Sequence, residues 1–478
     1  MDPSPDIPPE RQVWPNRTLN LRSMRAIGYD MDYTLVPYRT DEWERAAFEH
    51  AIRLLADRGW PVEGLRFDPG AVTQGLVFDL ELGNLVKSSR FGRVIRACHG
   101  TRLMEFGELR EAYSGTSVDL SEPRWEFTNT MFSLSQSSLY GQLVDHLDAG
   151  VLPGVVGYGD LYAAVGQAID HVHVHSELKP EILGDPDRFI DPDPEVAQTL
   201  IDQRAAGKLT LLITNSDWEY TKRVMHIAVG PFVPGDGTWR DLFDLVIVSA
   251  RKPGFFTSRH AVFRLVDDET GLLQPHYGRL ERGGVYVGGD APLVEQSFGI
   301  RGDEILYVGD HLFGDVHVTK ITLRWRTALI VNEIEDEIRE AEEFADTEQQ
   351  LVSLMGRKEA LERRQAVARL QRLRGDDVGD ALEEIGSTIR ELDDAIAPLA
   401  KRSGELTNAL WGPIMRAGID KSIFARQVER YADVYTSRAS NLGLATPYAY
   451  LRAPRSDLPH DHRSVVVGPS TGQNSRPA

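Results

Sequence analysis

A single cysteine, Cys98, stands in a chain of 478 residues, so no disulfide can close within it. That absence excludes the disulfide-stapled secreted class and points to a reducing compartment. Long hydrophobic runs are missing as well; none approaches the ~18 residues of a membrane span. Basic charge is scarce: 53 Lys+Arg stand against 72 Asp+Glu, a formal net charge of −19. Binding to a nucleic-acid polymer without regard to sequence needs a basic face, so that class falls away. A local basic pocket for a small anion does not. The first ten residues hold acids and prolines (Pro3, Pro5, Pro8, Pro9) rather than a basic-then-apolar leader, so the expected location is cytoplasmic, with no membrane partner. No repeat of solenoid period is present.

What is there is ordinary for a globular chain: 41% hydrophobic and 26% charged residues. At about 150 residues per domain, the length suggests two to four units. Four short apolar runs each end in polar residues: Arg25–Tyr29, Leu209–Ile213, Leu245–Val248 and Ile305–Val308. Such runs suit buried parallel strands, and helix-like stretches such as Pro194 to Gly207 separate the later ones. The fold class is therefore α/β, a doubly wound parallel-sheet core. Residues 11–38 and 194–331 form that core. Residues 39–193 are too long for a crossover and read as an inserted α+β cap. Within it, Gly75 to His99 reads as strands and turns, and Phe127 to Leu147 and Gly159 to Val174 as helices. Residues 332–410 read as an antiparallel helical hairpin, a solvated arm or an oligomer contact. Residues 411–455 read as C-terminal helices packing on the core. Residues 1–10 and 456–478 read as disordered tails.

In open α/β sheets, ligands bind beyond the carboxyl ends of the strands, so the residues just after these runs carry the chemistry. The first run leads to Asp30-Met31-Asp32. Two carboxylates one residue apart can serve one Mg²⁺ ion and one reaction, and a carboxylate can attack phosphorus. The second run leads to Thr214-Asn215-Ser216, whose hydroxyls and amides can hold phosphoryl oxygens. The third leads to Lys252-Pro253; a lysine there neutralises a phosphate. The fourth leads to Gly309-Asp310 and, five residues on, Asp315. Each motif alone is weak, because acids, Thr and Ser are common at strand ends and helix starts. Gly283 to Asp290 is Gly-rich but lacks a dinucleotide fingerprint, and reads as strand and turn.

Together and in this order, the four motifs resemble those of the haloacid dehalogenase superfamily. A narrower resemblance rests on Phe78-Asp79-x-x-x-Gly83-Asn84-Leu85-x-Lys87, Ala250-Arg251-Lys252-Pro253-x-Phe255-Phe256 and Gln427-Val428-x-Arg430-Tyr431-Ala432-Asp433-x-Tyr435. These phrases are similar to the cytosolic purine 5′-nucleotidases of the IMP/GMP-specific type, over roughly residues 20 to 455.

That resemblance implies a Mg²⁺-dependent hydrolase of nucleoside 5′-monophosphates, purine in preference, with transfer of the phosphoryl group to nucleosides also open to it. Asp30 is the implied nucleophile and Asp32 the acid and base. Thr214, Asn215 and Lys252 hold the phosphoryl group, with Ser216 beside them. Asp30, the Asp32 carbonyl and Asp310 hold Mg²⁺, and Asp315 supports them. In the cap, Phe132, Asp170, His173 and Lys179 are the implied substrate-binding residues. A homodimer or homotetramer is implied as well. Asp170-His171-Val172-His173-Val174-His175 also reads, on residues alone, as a metal site on a strand or a solvated helix end. Three positions depart from the family: Gly166, Val174 and Ser133 stand where it has Arg, Tyr and Asn. Asp119 stands where it has an effector-binding arginine, whereas Phe313 and Asn129 match other parts of that site. Two alternatives therefore stay open: a phosphatase for another small phosphomonoester such as a sugar phosphate, and an inactive nucleotide-sensing scaffold.

Overall fold

The computed structural model describes residues 7–175 and 178–455. The chain opens with strand β1 (Val13–Pro15) and enters the core with β2 (Ala26–Tyr29), whose four residues are all buried. Helix α1 (Thr40–Asp57) then begins a long excursion. It buries Trp43, Ala47, Ala51 and Leu55, spaced four apart along one stripe. Next comes a small sheet: β3 (Val77–Asp79), β4 (Asn84–Ser88), β5 (Val94–His99), β6 (Arg102–Leu103) and β7 (Trp125–Phe127). Its order is β6-β5-β4-β3-β7, antiparallel throughout. Helices α2 (Leu134–Asp148) and α3 (Tyr158–His175) pack on each other and on α1.

The chain returns to the core through α4 (Glu195–Ala205), β8 (Leu209–Ile213), α5 (Trp218–Ala228) and β9 (Leu245–Val248). It continues with β10 (Val262–Asp267), β11 (Leu272–Pro275), β12 (Gly284–Gly288), β13 (Ile305–Gly309) and β14 (Arg326–Ile330). The hairpin arm is α6 (Ala345–Leu373) and α7 (Gly379–Ser403), closed by Leu351, Leu392 and Ile396. Helix α8 (Ile423–Tyr431) and strand β15 (Val434–Thr436) complete the core.

The ten-stranded core sheet has the order β1-β15-β14-β13-β2-β8-β9-β12-β10-β11. Every pairing from β15 through to β12 is parallel, and the outermost pairings are antiparallel. The four apolar runs are the adjacent central strands β13, β2, β8 and β9. Continuous apolar runs, rather than alternating ones, are what a sheet covered on both faces demands. The fold is thus the doubly wound α/β core with an inserted cap that the sequence leads one to expect.

Three features differ from the sequence reading. Residues 411–455, expected as helices, also supply β15, which lies between β14 and β1. Three residues are too short a run to announce a strand; pairing on both sides makes it one. Residues 7–10, expected in a loose tail, are held: Arg11 N donates to the Pro8 carbonyl and Ser437 Oγ to the Glu10 carbonyl. Residues 1–6 and 456–478 lie outside the described residues. Lastly, the three alternating histidines sit on α3, where positions two apart diverge by about 200°, so they share no strand face.

The largest apolar cluster runs without a break from Tyr29 and Leu212 in the core through Trp43 to Leu143 and Val165 in the cap. The cap is thereby fixed over the carboxyl ends of β2, β8, β9 and β13. Two of the unusual phrases prove to be structural ties. Lys87 is buried and its ammonium donates to the carbonyls of Trp411, Gly412 and Pro413 at 2.6, 3.2 and 2.6 Å. Asp433 receives Lys320 at 2.7 Å and Arg326 at 3.1 Å, and its carboxylate takes the Thr327 N–H at 3.0 Å.

Candidate active site

Asp30 comes directly after the last residue of β2, and its backbone N–H donates to the Val308 carbonyl of β13. Asp310 and Asp315 come after β13 itself. The two strands are neighbours, so three carboxylates converge: one oxygen of each of Asp30, Asp310 and Asp315 lies within 4.8 Å of the others. All three side chains are buried. Lys252 enters from the loop after β9, with its ammonium 2.7 Å from Asp30 Oδ1 and 2.9 Å from Asp315 Oδ1. The turn that aims it has Ser249 and Arg251 at φ of 47° and 61°, left-handed conformations that non-glycine residues adopt where surrounding structure compels them.

Burial pushes the Asp30 carboxyl up to about 6, against the pull of Lys252 and with a push from Asp315. Burial, then Asp30 and Asp315, hold Asp310 well above the ordinary carboxylate range. Burial opposes the Lys252 charge, but Asp30 and Asp315 outweigh it and raise that pKa. Three carboxylates against one ammonium leave negative charge uncompensated in a dry site. Oxygen donors in such excess suit a hard divalent cation.

Asp32 turns away from this cluster. Its Oδ1 accepts from Tyr38 OH at 2.6 Å and its Oδ2 from Ser216 Oγ at 2.8 Å. Burial raises its pKa, and the Tyr38 hydrogen bond works against that rise. Thr214 is buried, and its Oγ1 accepts from Ser216 N–H at 3.0 Å. Asn215 acts on the loop opposite: its Oδ1 accepts from Lys252 N–H at 2.6 Å and its Nδ2 donates to the Lys252 carbonyl at 3.2 Å. The structure thus gives Asn215 a visible task, fixing the backbone that carries the lysine.

These groups form the floor of a cavity of about 790 Å³ whose far wall is the cap. Phe132, Asp170, His173 and Lys179 all line it, one turn apart on α3 in the case of Asp170 and His173. The Phe132 ring stands edge-on to Tyr33, Trp43 and His173, with centroids 4.8, 5.6 and 5.3 Å apart. Burial, then Lys179, push His173 down to about 4, so its imidazole is neutral. Its Nε2 is buried without a hydrogen-bond partner. Lys179 pairs with Asp217 at 3.2 Å and lies 4.8 Å above the Tyr220 ring. Every expected site residue therefore reaches one cavity. The side chain of Val174 lies outside the described residues.

Sequence reasoning missed several contributors. Tyr38 sits beyond Asp32, with nothing to mark it among ordinary tyrosines. Tyr307 OH receives the Lys252 ammonium at 3.2 Å and donates to the Ile213 carbonyl at 3.1 Å. Thr130 donates to Asp310 at 3.4 Å. Gln136 lines the cavity, its amide nitrogen 3.3 Å from where a Cβ on Gly166 would sit. Only the spacing of Gln136 from Phe132, one helical turn, could have drawn attention to it. Of the expected effector residues, Asp119 and Phe313 meet at a second cavity of about 550 Å³, with Arg426 and Arg430. Asn129 turns its amide to the Phe127 carbonyl instead (3.1 Å).

Sequence comparison with known proteins places the chain in a family. The family model "5′ nucleotidase family" matches residues 13–463. The human protein "5′-nucleotidase domain-containing protein 2" is 30% identical over 444 residues, covering 90% of this chain and 81% of its own. The rat protein of the same name is 30% identical over 450 residues, covering 90% and 76%. Among solved structures, an archaeal beta-phosphoglucomutase from Pyrococcus sp. strain ST 04 aligns with a TM-score of 0.32 at 10% identity. It covers 64% of this chain and 86% of that one.

Proposed function

The chain belongs to the 5′ nucleotidase family and is a phosphoric monoester hydrolase, and from that premise we propose that it hydrolyses nucleoside 5′-monophosphates, purine in preference, with Mg²⁺ and an aspartyl-phosphate intermediate. The observation that carries this reading is the cavity. It joins Asp30 and Lys252 at its floor to an aromatic ring and a neutral histidine in its cap wall.

The phosphate of the nucleotide meets Lys252 and the amides and hydroxyls of Thr214 to Ser216. Asp30 attacks phosphorus as the bond to the 5′-oxygen breaks. Asp32, whose raised pKa favours the protonated form, gives its proton to that oxygen. Tyr38 and Ser216 hold its two oxygens in place meanwhile. The same carboxylate then takes a proton from water, which attacks the aspartyl phosphate and frees Asp30. Mg²⁺, held by Asp30, Asp310 and the Asp32 carbonyl with Asp315 beside them, would offset the charge of the transferring phosphoryl group. Phe132 and the His173 Nε2 offer a face and a hydrogen bond to the base. A nucleoside 5′-hydroxyl that reaches the aspartyl phosphate before water would turn hydrolysis into transfer.

A second reading, a phosphatase for a sugar phosphate, is favoured by Gly166 and Ser133. They leave Gln136 where a charged base reader would stand, and a site discriminates strongly only through groups it holds ready. Phosphate release with Mg²⁺ from IMP, GMP, AMP, UMP and two sugar phosphates separates the readings, with Asp30→Asn as blank. A purine preference of tenfold or more, lost in the variant, is the expected result (about tenfold being one good contact). A flat or sugar-biased profile would discard the base pocket. Inactivity toward every phosphomonoester would favour a nucleotide-sensing scaffold.

A further inference from the structure

His311 follows Asp310 and lines the same cavity, yet no step of the proposed mechanism uses it. Its ring has one visible task. Nδ1 accepts the Gly314 N–H at 2.8 Å, at the start of the helical turn Leu312–His317. The approach is close: a Cβ on Gly314 would lie 3.1 to 3.3 Å from three atoms of the ring, so the glycine leaves room for the imidazole. The His311 backbone N–H reaches Asp315 Oδ2 at 3.3 Å. Backbone and ring are both held.

That one hydrogen bond decides where the ring proton sits. A nitrogen that accepts carries no proton, and an imidazole must carry at least one. The proton is therefore on Nε2, which is a donor. Turning the ring over would set a C–H against the Gly314 N–H. Nε2 has no acceptor among the described residues, and unlike the Nε2 of His173 it is not shut inside the protein. A protonated nitrogen cannot ligate a cation, so His311 stands outside any metal shell built by Asp30, Asp310 and Asp315. What it can do is donate to an oxygen. Helix starts are ordinarily capped by Ser, Thr, Asp or Asn, any of which could take the Gly314 N–H; the second nitrogen is what histidine adds.

The site has a use for such a donor. The Lys252 ammonium has three N–H groups, and Asp30, Asp315 and Tyr307 stand at 2.7, 2.9 and 3.2 Å to receive them. The lysine meets an incoming anion with its charge but with no N–H to spare. We propose that His311 binds the phosphoryl group of the substrate, its Nε2–H donating to a phosphoryl oxygen from the Asp310 side of the site. The inference rests on the reading of Lys252 and Thr214 to Ser216 as the phosphate-holding groups.

Calorimetric titration of the full chain with inorganic phosphate, in the presence of Mg²⁺, tests it on three variants, with thermal melts and kinetics beside it. His311→Asn sets an amide oxygen where Nδ1 stands, so it keeps the cap and deletes the donor. His311→Gln sets an amide nitrogen near the place of Nε2, so it keeps the donor and loosens the cap. His311→Ala deletes both. His311→Asn is expected to melt near the wild type yet bind phosphate about tenfold more weakly, roughly one hydrogen bond to a charged acceptor. Its kcat/KM on the best phosphomonoester should fall at least as far. His311→Gln should melt lower but recover much of the affinity, and His311→Ala should lose both. A residue that only caps gives the reverse order, with His311→Asn like the wild type and His311→Gln like His311→Ala, and that order overturns the proposal. So does a wild-type chain that binds no phosphate. Phosphate binding that depends on His311 in a chain that hydrolyses nothing would keep the proposal and discard the proposed catalysis. Hydrolysis undiminished in His311→Asn would do the opposite.

Discussion

Tyr38 shows how a side chain outside every motif can fix a carboxylate of the candidate site. Its hydroxyl donates to Asp32 at 2.6 Å while lying 3.1 Å from the Tyr220 hydroxyl. In the proposed mechanism Asp32 presents one oxygen to a leaving group and then to water, and a carboxylate free to rotate does neither well. Tyr38→Phe removes the donor and keeps the ring that packs on Trp43 at 4.4 Å. The expected outcome is a fall in kcat of about tenfold with KM changed little, since the phosphate-holding groups are untouched. Steady-state kinetics on the best substrate checks this; an equal loss in KM would assign Tyr38 to binding instead. Such residues are invisible in the sequence because their partner lies across a turn, whereas Asp30, Lys252 and Asp310 announce themselves at the ends of apolar runs.

Between elements, the sharpest feature is Glu44 on α1. It is fully buried, and its Oε2 accepts from the Ser135 N–H in the first turn of α2 at 2.6 Å. This joins α1, which carries Trp43, to the start of α2, just after the turn that carries Phe132, and both rings line the cavity. Burial pushes Glu44 up to about 8 from 4.5, against the hydrogen bonds of Ser135. The folded state then binds a proton that the unfolded chain has released. The stability that Glu44 contributes must therefore fall as pH rises from about 4.5 to about 8, by up to ~1.4 kcal/mol per pH unit for one proton. Glu44→Gln keeps the shape and cannot lose that proton. Urea unfolding at pH 5 and at pH 8 should show the variant gaining on the wild type at the higher pH. A difference independent of pH would show Glu44 ionised in the fold. The helices and central strands were legible because each buries a periodic or continuous apolar face. Strand β15 was not, because its three residues become a strand only between β14 and β1. The cap wall was legible through resemblance alone; nothing in the residues ties Gln136 to the cavity or Glu44 to Ser135.

Across the whole molecule, the C-terminal third is two things of opposite kind. The arm leaves and returns at one place: Ser403 Oγ donates to Glu348 at 3.1 Å. Residues 404–436, by contrast, are woven into both domains. Arg96 of β5 donates to the carbonyls of Gly404 and Leu410, and Lys87 of β4 to those of Trp411, Gly412 and Pro413. Strand β15 fills the gap between β1 and β14 in the core. Replacing residues 349–402 by a short Gly-Ser linker should therefore keep phosphate release, with Tm lowered by only a few degrees, because loop closure over a short span costs little. Ending the chain after Leu410 should instead abolish folding. The cut leaves the buried Lys87 ammonium without its three acceptors, a loss of about 3 kcal/mol or more, and opens the sheet between two strands. Thermal melts and activity of the two shortened chains decide the matter. If the truncated chain melts cooperatively near the wild type, the terminal segment is an accessory; if it is insoluble while the excised chain works, the catalytic unit is the core, the cap and the last strand together.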